Sequence, residues 1–151
     1  MYSDPSSALP DPSLRPEFYA DTAAKRFFAW LIDVALIFIV SAIVVLFTVF
    51  IAAFFYPLLW LVLSFVYRVV TIANGSATLG MRLMSVEFRT HRGERFGLGE
   101  AVLHTLVYSI SMSTFLIQIA SIVLMLTTER KQSLGDMLLG SVALNRSTLP
   151  A

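Results

Sequence analysis

One long apolar run restricts what this chain can fold into. No charged residue occurs from Val34 to Tyr67. As a single helix this run would be ~50 Å long, whereas the hydrocarbon core of a bilayer is ~30 Å thick. The run must therefore fold back on itself. We predict a first span over residues 25–50, a tight turn over 51–56 and a second span over 57–73.

Local signals mark both ends of the second span. Pro57 suits the first turn of a helix and is disfavoured in a helix interior. Asn74 and Gly75 supply a helix stop. Aromatic side chains cluster beside the proline, as in the interfacial belt of a membrane protein; they are Phe54, Phe55, Tyr56 and Trp60.

The composition agrees with a membrane protein and argues against several other classes. Hydrophobic residues make up 57% of the chain and charged residues 14%, against roughly 45–50% and about 25% in soluble domains. The net charge of +1 argues against a nucleic-acid partner. With no cysteine and two histidines, we predict no metal site and no cofactor. No nucleophilic Ser-His-Asp arrangement is recognisable, so we predict no catalytic residue and no enzyme activity.

A second apolar stretch, residues 101–128, allows two interpretations. It contains no lysine, arginine or acidic residue, and its middle (109–114) is rich in serine and threonine. A single helix of this length crosses a bilayer comfortably. A break at the serine cluster would give two shorter legs, about 98–110 and 112–128, each below the roughly 20 residues that a full crossing needs.

The positions of basic residues predict the orientation and favour one of these interpretations. Lys25 and Arg26 precede the first span, arginines crowd the central loop, and the turn between the first two spans has none. The N-terminus and central loop are therefore predicted to be cytoplasmic. Arg130 and Lys131 place the C-terminus on the same side, which requires an even number of crossings. The charge rule thus favours the broken hairpin, segment length favours a single span, and we favour the hairpin.

The predicted fold is an all-α integral membrane protein of the inner cell membrane. It is a small bundle of three to four helices. Two of them are long spans, and the shorter third stretch forms either one helix or a broken pair of helices. Short amphipathic segments lie at the interface. Residues 1–22 are predicted to form a disordered, proline-rich cytoplasmic tail, 23–146 the transmembrane domain, and 147–151 a short C-terminal tail.

Two segments of the chain resemble each other. Residues 78–86 and 133–142 both read hydroxyl–Leu–Gly, then a charged residue, large apolar residues and Ser-Val. The similarity is either a coincidence in a leucine-rich chain or a sign of two short amphipathic helices on the same membrane face. The alternating charges of residues 87–96 predict a small exposed hairpin.

Asp33 is the most informative single residue, because it lies about two turns inside the first span. A carboxylate near mid-membrane costs roughly 2.5–3.5 kcal/mol on insertion scales and usually faces protein or water. Arg26 lies seven residues earlier on nearly the same helix face, ~10 Å away, so a third partner or water is needed between them. Asp33 is either a cation or proton site gated by Arg26, or part of a structural ion pair.

Three further residues are candidates for the site. Asp136 reaches the membrane level of Arg26 if the C-terminus is cytoplasmic; otherwise it is a first-turn acid that follows the N-cap Ser133. Glu100 and His104 are weaker candidates. They stand four residues apart on a helix, where they either share a proton or form a local interfacial contact.

The order of these motifs resembles the RDD family of small multi-pass membrane proteins. The resemblance covers residues 24–145. The matching parts are Arg26 and Asp33 in KRFFAWLID, TLGMRL in the central loop, GLGEA at the start of the third stretch, and Asp136 in QSLGDMLLG. Membership would imply a multi-pass membrane protein for which transport is the usual proposal, including monovalent cation/proton exchange. The serine- and threonine-rich third stretch departs from the family pattern.

Together these features predict a transporter-like role, with Asp33 as the binding carboxylate and Arg26 with Asp136 as an electrostatic gate. The alternative is an adaptor or scaffold in which the same residues hold the bundle together. A third hypothesis is attraction of anionic lipid to the basic central loop. The expected partners are the lipid bilayer and a monovalent cation or proton. Because so few helices enclose a path poorly, we also expect a homo-oligomer or a larger membrane partner.

Overall fold

The computed structural model describes residues 8–148 and is mostly helical. The helices are α1 (Thr22–Phe47), α2 (Tyr56–Ala73), α3 (Leu79–Leu83), α4 (Leu98–Ser113), α5 (Phe115–Thr127) and α6 (Leu134–Leu139). Two strands, β1 (Val86–Arg89) and β2 (Val142–Asn145), form a small sheet, and short 3-10 helices cover Pro16–Phe18, Ile51–Phe55 and Arg146–Thr148.

Helices α1 and α2 are the two predicted spans. Both are long and apolar enough to cross a membrane, and only 17% and 6% of their most apolar windows are buried inside the chain. The 3-10 turn Ile51–Phe55 connects them, and Pro57 occupies the first turn of α2. Helix α2 ends immediately before Asn74, as predicted. Their large apolar side chains therefore face lipid or another protein.

The third apolar stretch is broken. Helices α4 and α5 are bent by 119° relative to each other, and the break falls at Thr114, whose backbone is extended. The hydroxyls of Ser109 and Ser113 donate to carbonyls one turn earlier in α4, a side-chain bond that competes with regular helix geometry. The predicted break is thus present, slightly later than expected, and a straight single span is not formed.

The two similar segments have the same local structure. Thr78 and Ser133 are the N-caps of α3 and α6, and each hydroxyl accepts a hydrogen bond from the third backbone N–H of its helix. Each short helix leads into a strand. Because β1 and β2 pair antiparallel, with Val86 opposite Asn145, the two segments lie at the same end of the bundle.

The sheet is a feature that the sequence prediction lacks. Residues 87–96 do not form the predicted hairpin, because β1 pairs with the distant β2 instead of with the chain that follows it. Only a tight turn remains, closed by the Thr90 backbone N–H, which donates to the Glu94 carbonyl at 2.9 Å.

Residues 8–22 also differ from the prediction of a disordered tail. Leu9, Phe18 and Tyr19 are buried in a cluster with side chains of β2. The Asn145 amide donates to the carbonyls of Glu17 and Ala20, at 2.8 Å each. Residues 1–7 of the predicted tail, and 149–151 at the other end, lie outside the described residues.

The main hydrophobic core lies at the end of the bundle that carries the sheet. It consists of buried side chains from both spans, α3, the strands and α4: Ala29, Ile72, Ala77, Met81, Val86, Phe88, Phe96, Ala101 and Ala143. This core fixes the inner faces of α1 and α4, where the polar side chains described next are found.

Candidate functional site

Asp33 is buried at the meeting point of α1, α2 and α3. Its side chain accepts three hydrogen bonds: from the Tyr67 hydroxyl at 2.6 Å, the Thr78 hydroxyl at 2.6 Å and the Gly80 backbone N–H at 2.8 Å. All three donors are neutral, and among residues 8–148 no cationic side chain lies within ion-pair distance of the carboxylate. Only 2% of the residue is exposed, so protein rather than lipid surrounds it.

The same carboxylate completes the start of α3. The Leu79 N–H donates to the Tyr67 hydroxyl, the Gly80 N–H to Asp33 and the Met81 N–H to Thr78. These are helix N-terminal donors that otherwise lack an intrahelical partner. Asp33 therefore ties α1 to α3 and, through Tyr67, to α2.

Asp136 is the centre of a second buried cluster, which joins α1, α4 and α6. One oxygen, Oδ2, accepts from Arg26 at 2.5 Å and from the Ser133 backbone N–H at 2.9 Å. The other, Oδ1, is 2.9 Å from His104 Nε2 and 3.4 Å from the Ser141 hydroxyl. Arg26 also lies over the Phe88 ring. Asp136 is wholly buried, both of its oxygens accept hydrogen bonds, and the Arg26 guanidinium balances its charge.

The charge state of Asp136 follows from these neighbours. Burial alone would raise its pKa, but the Arg26 guanidinium and the His104 hydrogen bond outweigh burial and hold the pKa well below its ordinary value of 3.8. An ionised Asp136 requires His104 Nε2 to be the donor. His104 Nδ1 has no hydrogen-bond partner among the described residues.

The predicted contact between Arg26 and Asp136 is present as a buried ion pair. The predicted polar seam from Arg26 to Asp33 is not formed, because each of the two residues has its own partners. Glu100 forms no hydrogen bond with His104: it accepts from the Gly97 N–H at 3.0 Å and thereby caps α4. Whether the pair of Arg26 and Asp136 acts as a gate or is structural stays a prediction.

A cavity of about 660 Å³ lies beside both clusters. Arg26, Asp33 and His104 line it, together with many apolar side chains of α1, α4 and α5. Arg68 of α2 lines it too. The volume is in the range of a small-molecule site.

Several residues of this site are missing from the sequence-based candidates. Tyr67 ends the charge-free run and Thr78 is part of the repeated segment, so each carried a signal, but neither could be assigned to Asp33 without the fold. Arg68 is one of the arginines at and after the end of the second span that the sequence analysis uses only to predict orientation. Glu87 is buried beside the arginines Arg89, Arg95 and Arg146, with which it forms ion pairs; this cluster depends on the sheet.

Comparison with known proteins identifies a family. The family model of the RDD family matches residues 20–140, a range that contains both clusters. Comparison with curated proteins gave no match, and neither did comparison with solved structures.

Proposed function

The chain belongs to the RDD family, and from this membership and the state of its buried acids we propose that it is a transporter-like membrane protein that exchanges a monovalent cation for a proton. The observation that carries the proposal is the environment of Asp33. It is a buried carboxylate that lines a cavity and has only neutral donors around it. Ionisable residues of this kind within membrane spans commonly mark ion or proton pathways.

The contrast between the two aspartates assigns them different roles in this proposal. Asp136 is neutralised by Arg26, so it has no charge left to offer a substrate. Asp33 has no cation beside it among residues 8–148, and a buried charge without a counter-ion is costly. A proton or a small monovalent cation is the partner that this carboxylate lacks. The hydroxyl oxygens of Tyr67 and Thr78 lie next to it and would add ligands for a cation.

The positions of Arg26 and Asp136 in the bundle give the proposed gate. Arg26 and Asp136 both lie at the sheet end of the bundle, which the basic central loop predicts to be cytoplasmic. There they would form the electrostatic gate of the cavity in an inner cell membrane. Because so little of α1 and α2 is covered within one chain, we propose that a second copy or a larger membrane protein completes the path.

One observation favours a second candidate function, a non-transporting adaptor or scaffold. The donors to Asp33 come from α2, from α3 and from the residue that caps α3. The contacts of Asp136, which lies on α6, come from α1 and α4. In this alternative the two carboxylates only clamp the bundle together, and the exposed apolar faces of α1 and α2 bind another membrane protein.

Transport in proteoliposomes separates the two functions. We expect wild-type protein to move protons, reported by an internal pH dye, when an outward gradient of Na⁺, K⁺ or Li⁺ is imposed. Asp33→Asn is expected to reduce this flux to the level of empty vesicles, because the amide keeps the size of the side chain but loses its charge. Glu100→Gln is the matched control: it neutralises an acid of α4 that caps a helix, and its flux should equal that of wild type.

The same flux measurements can contradict the proposed exchange and the role of Asp33. If wild-type protein moves neither cations nor protons, exchange is wrong and the scaffold is favoured. If Asp33→Asn transports at the wild-type rate, Asp33 is not the binding group. Tyr67→Phe, which keeps the carboxylate and removes one donor, should retain part of the flux. The melting temperature of Asp33→Asn, measured beside its flux, shows whether a loss of flux reflects unfolding.

A further inference from the structure

Arg68 is a buried arginine without an acidic partner. Only 7% of the residue is exposed, Nε has no hydrogen-bond partner, and no carboxylate among residues 8–148 forms an ion pair with the guanidinium. The guanidinium is stacked on the Tyr108 ring, 3.8 Å from its centroid. The Tyr108 hydroxyl in turn accepts from Trp30 Nε1 at 2.9 Å. This stack holds the arginine in place but leaves its charge uncompensated.

The arginine lines the same cavity as Arg26 and Asp33. Arg26 is neutralised by Asp136, and the Asp33 carboxylate, which accepts hydrogen bonds from neutral donors, forms no ion pair with Arg68. Arg68 is thus the cation in this cavity that has no partner within the described chain. A planar guanidinium in this state is suited to a carboxylate or a phosphate, which it can bind through two parallel hydrogen bonds.

The edge of the cavity indicates where such a ligand comes from. Four apolar side chains that line it are also partly exposed on the outside of the helices: Phe27, Met112, Ile122 and Leu126. They belong to α1, α4 and α5, so the mouth of the cavity is apolar. In a membrane protein, an apolar mouth admits an amphiphile from the bilayer far more readily than a free ion.

We propose that this cavity binds an amphiphile from the bilayer, with its anionic headgroup on Arg68 and its apolar chain between α1 and α5. The shared chemistry is a single carboxylate or phosphate attached to a hydrocarbon tail. Because this site depends on Arg68 and the proposed exchange depends on Asp33, each can fail without the other.

Tryptophan fluorescence tests the proposal directly. The chain has two tryptophans, so Trp60→Phe leaves Trp30, which lines the cavity and contacts the Arg68–Tyr108 stack. The full-length Trp60→Phe protein in phosphatidylcholine vesicles is titrated with dibromostearate, whose bromines quench tryptophan on contact, and with its neutral methyl ester. We expect the acid to quench Trp30 at about tenfold lower membrane concentration than the ester, as one charge-assisted contact predicts.

Two variants and two further probes complete the test. Arg68→Gln should abolish the difference between acid and ester, whereas Arg92→Gln, which removes an exposed arginine outside the cavity, should retain it. Arg68→Lys keeps the charge and should retain part of the preference if Arg68→Gln does not fold. If brominated phosphatidylglycerol quenches Trp30 as well as the acid does, a phosphate headgroup also binds at Arg68. This result supports the site.

Three results would overturn the proposal. The first is equal quenching by acid and ester in the Trp60→Phe protein that retains Arg68. This comparison does not depend on whether a variant at position 68 folds. The second is an unchanged preference in Arg68→Gln. The third is relief of quenching by millimolar inorganic phosphate without bulk effects on the vesicles, which would make the ligand a soluble anion rather than an amphiphile.

Discussion

Replacing Asp136 with asparagine is expected to lower the free energy of unfolding by about 3–5 kcal/mol, the usual cost of breaking a buried ion pair by removing one partner. The substitution leaves the Arg26 guanidinium without its anion in a largely buried position. It also weakens the hydrogen bonds from His104 and Ser133, which together join α1, α4 and α6. The measurement is unfolding in mixed micelles titrated with sodium dodecyl sulfate, followed by tryptophan fluorescence.

Two comparisons separate the ion pair from a general loss of charge. Glu129→Gln removes an exposed acid near the same end of the chain and should change the free energy of unfolding by less than about 0.5 kcal/mol. The double variant Arg26→Gln with Asp136→Asn should regain part of the stability, because no unpaired charge remains. If Asp136→Asn is as stable as Glu129→Gln, Asp136 does not hold the three helices together.

Replacing Gly80 with alanine is expected to be the next most damaging change. A Cβ at this position would lie 2.1 Å from the Ala29 carbonyl oxygen and 2.8 Å from Asp33 Oδ1. Overpacking typically costs about 1–3 kcal/mol, and we expect the upper end because the carbonyl cannot move without shifting α1. The same detergent titration measures this loss. The proteoliposome flux should fall with it, since α3 would be pushed away from Asp33.

Gly99 provides the matched control for this prediction. It is also a helical glycine, in the first turn of α4, but a Cβ there has nothing within 4 Å. Gly99→Ala should therefore leave stability unchanged or raise it slightly, as alanine generally does in a helix. Equal effects at the two glycines would mean that α3 does not pack closely on α1.

The parts of the fold that follow from local sequence could be predicted. The charge-free run forced a helical hairpin, Pro57 marked the start of α2, and the serine cluster marked the break between α4 and α5. The repeated hydroxyl–Leu–Gly pattern had two interpretations, coincidence or two short helices on one face, and the structure agrees with the second. In each case the information lies within a few neighbouring residues, where helix periodicity, capping and proline geometry act directly.

Contacts between distant segments could not be predicted in the same way. Strands β1 and β2 are four residues each, too short for a clear alternation, and their pairing depends on where the helices bring them. Helix spacing placed Arg26 near Asp33, whereas its contact with Asp136 could be predicted only on the condition that the C-terminus is cytoplasmic; the fold forms the second contact and not the first. His104 likewise bonds to an acid on α6 rather than to Glu100 one turn away. Tertiary packing determines the strand pairing and the partners of both side chains.

Cation-dependent stability tests the central claim, that Asp33 is a sheltered carboxylate able to bind a monovalent cation. The melting temperature of purified wild-type protein is measured while choline is replaced by Na⁺, K⁺ or Li⁺ at constant ionic strength. Binding to the folded state alone stabilises it by about 2.7 kcal/mol when the cation reaches 100 times its Kd. We predict a saturable rise for at least one cation in wild type and in Glu100→Gln, and none in Asp33→Asn. The account would be contradicted if the melting temperature of wild type did not change with any of the three cations, or if it rose equally in Asp33→Asn.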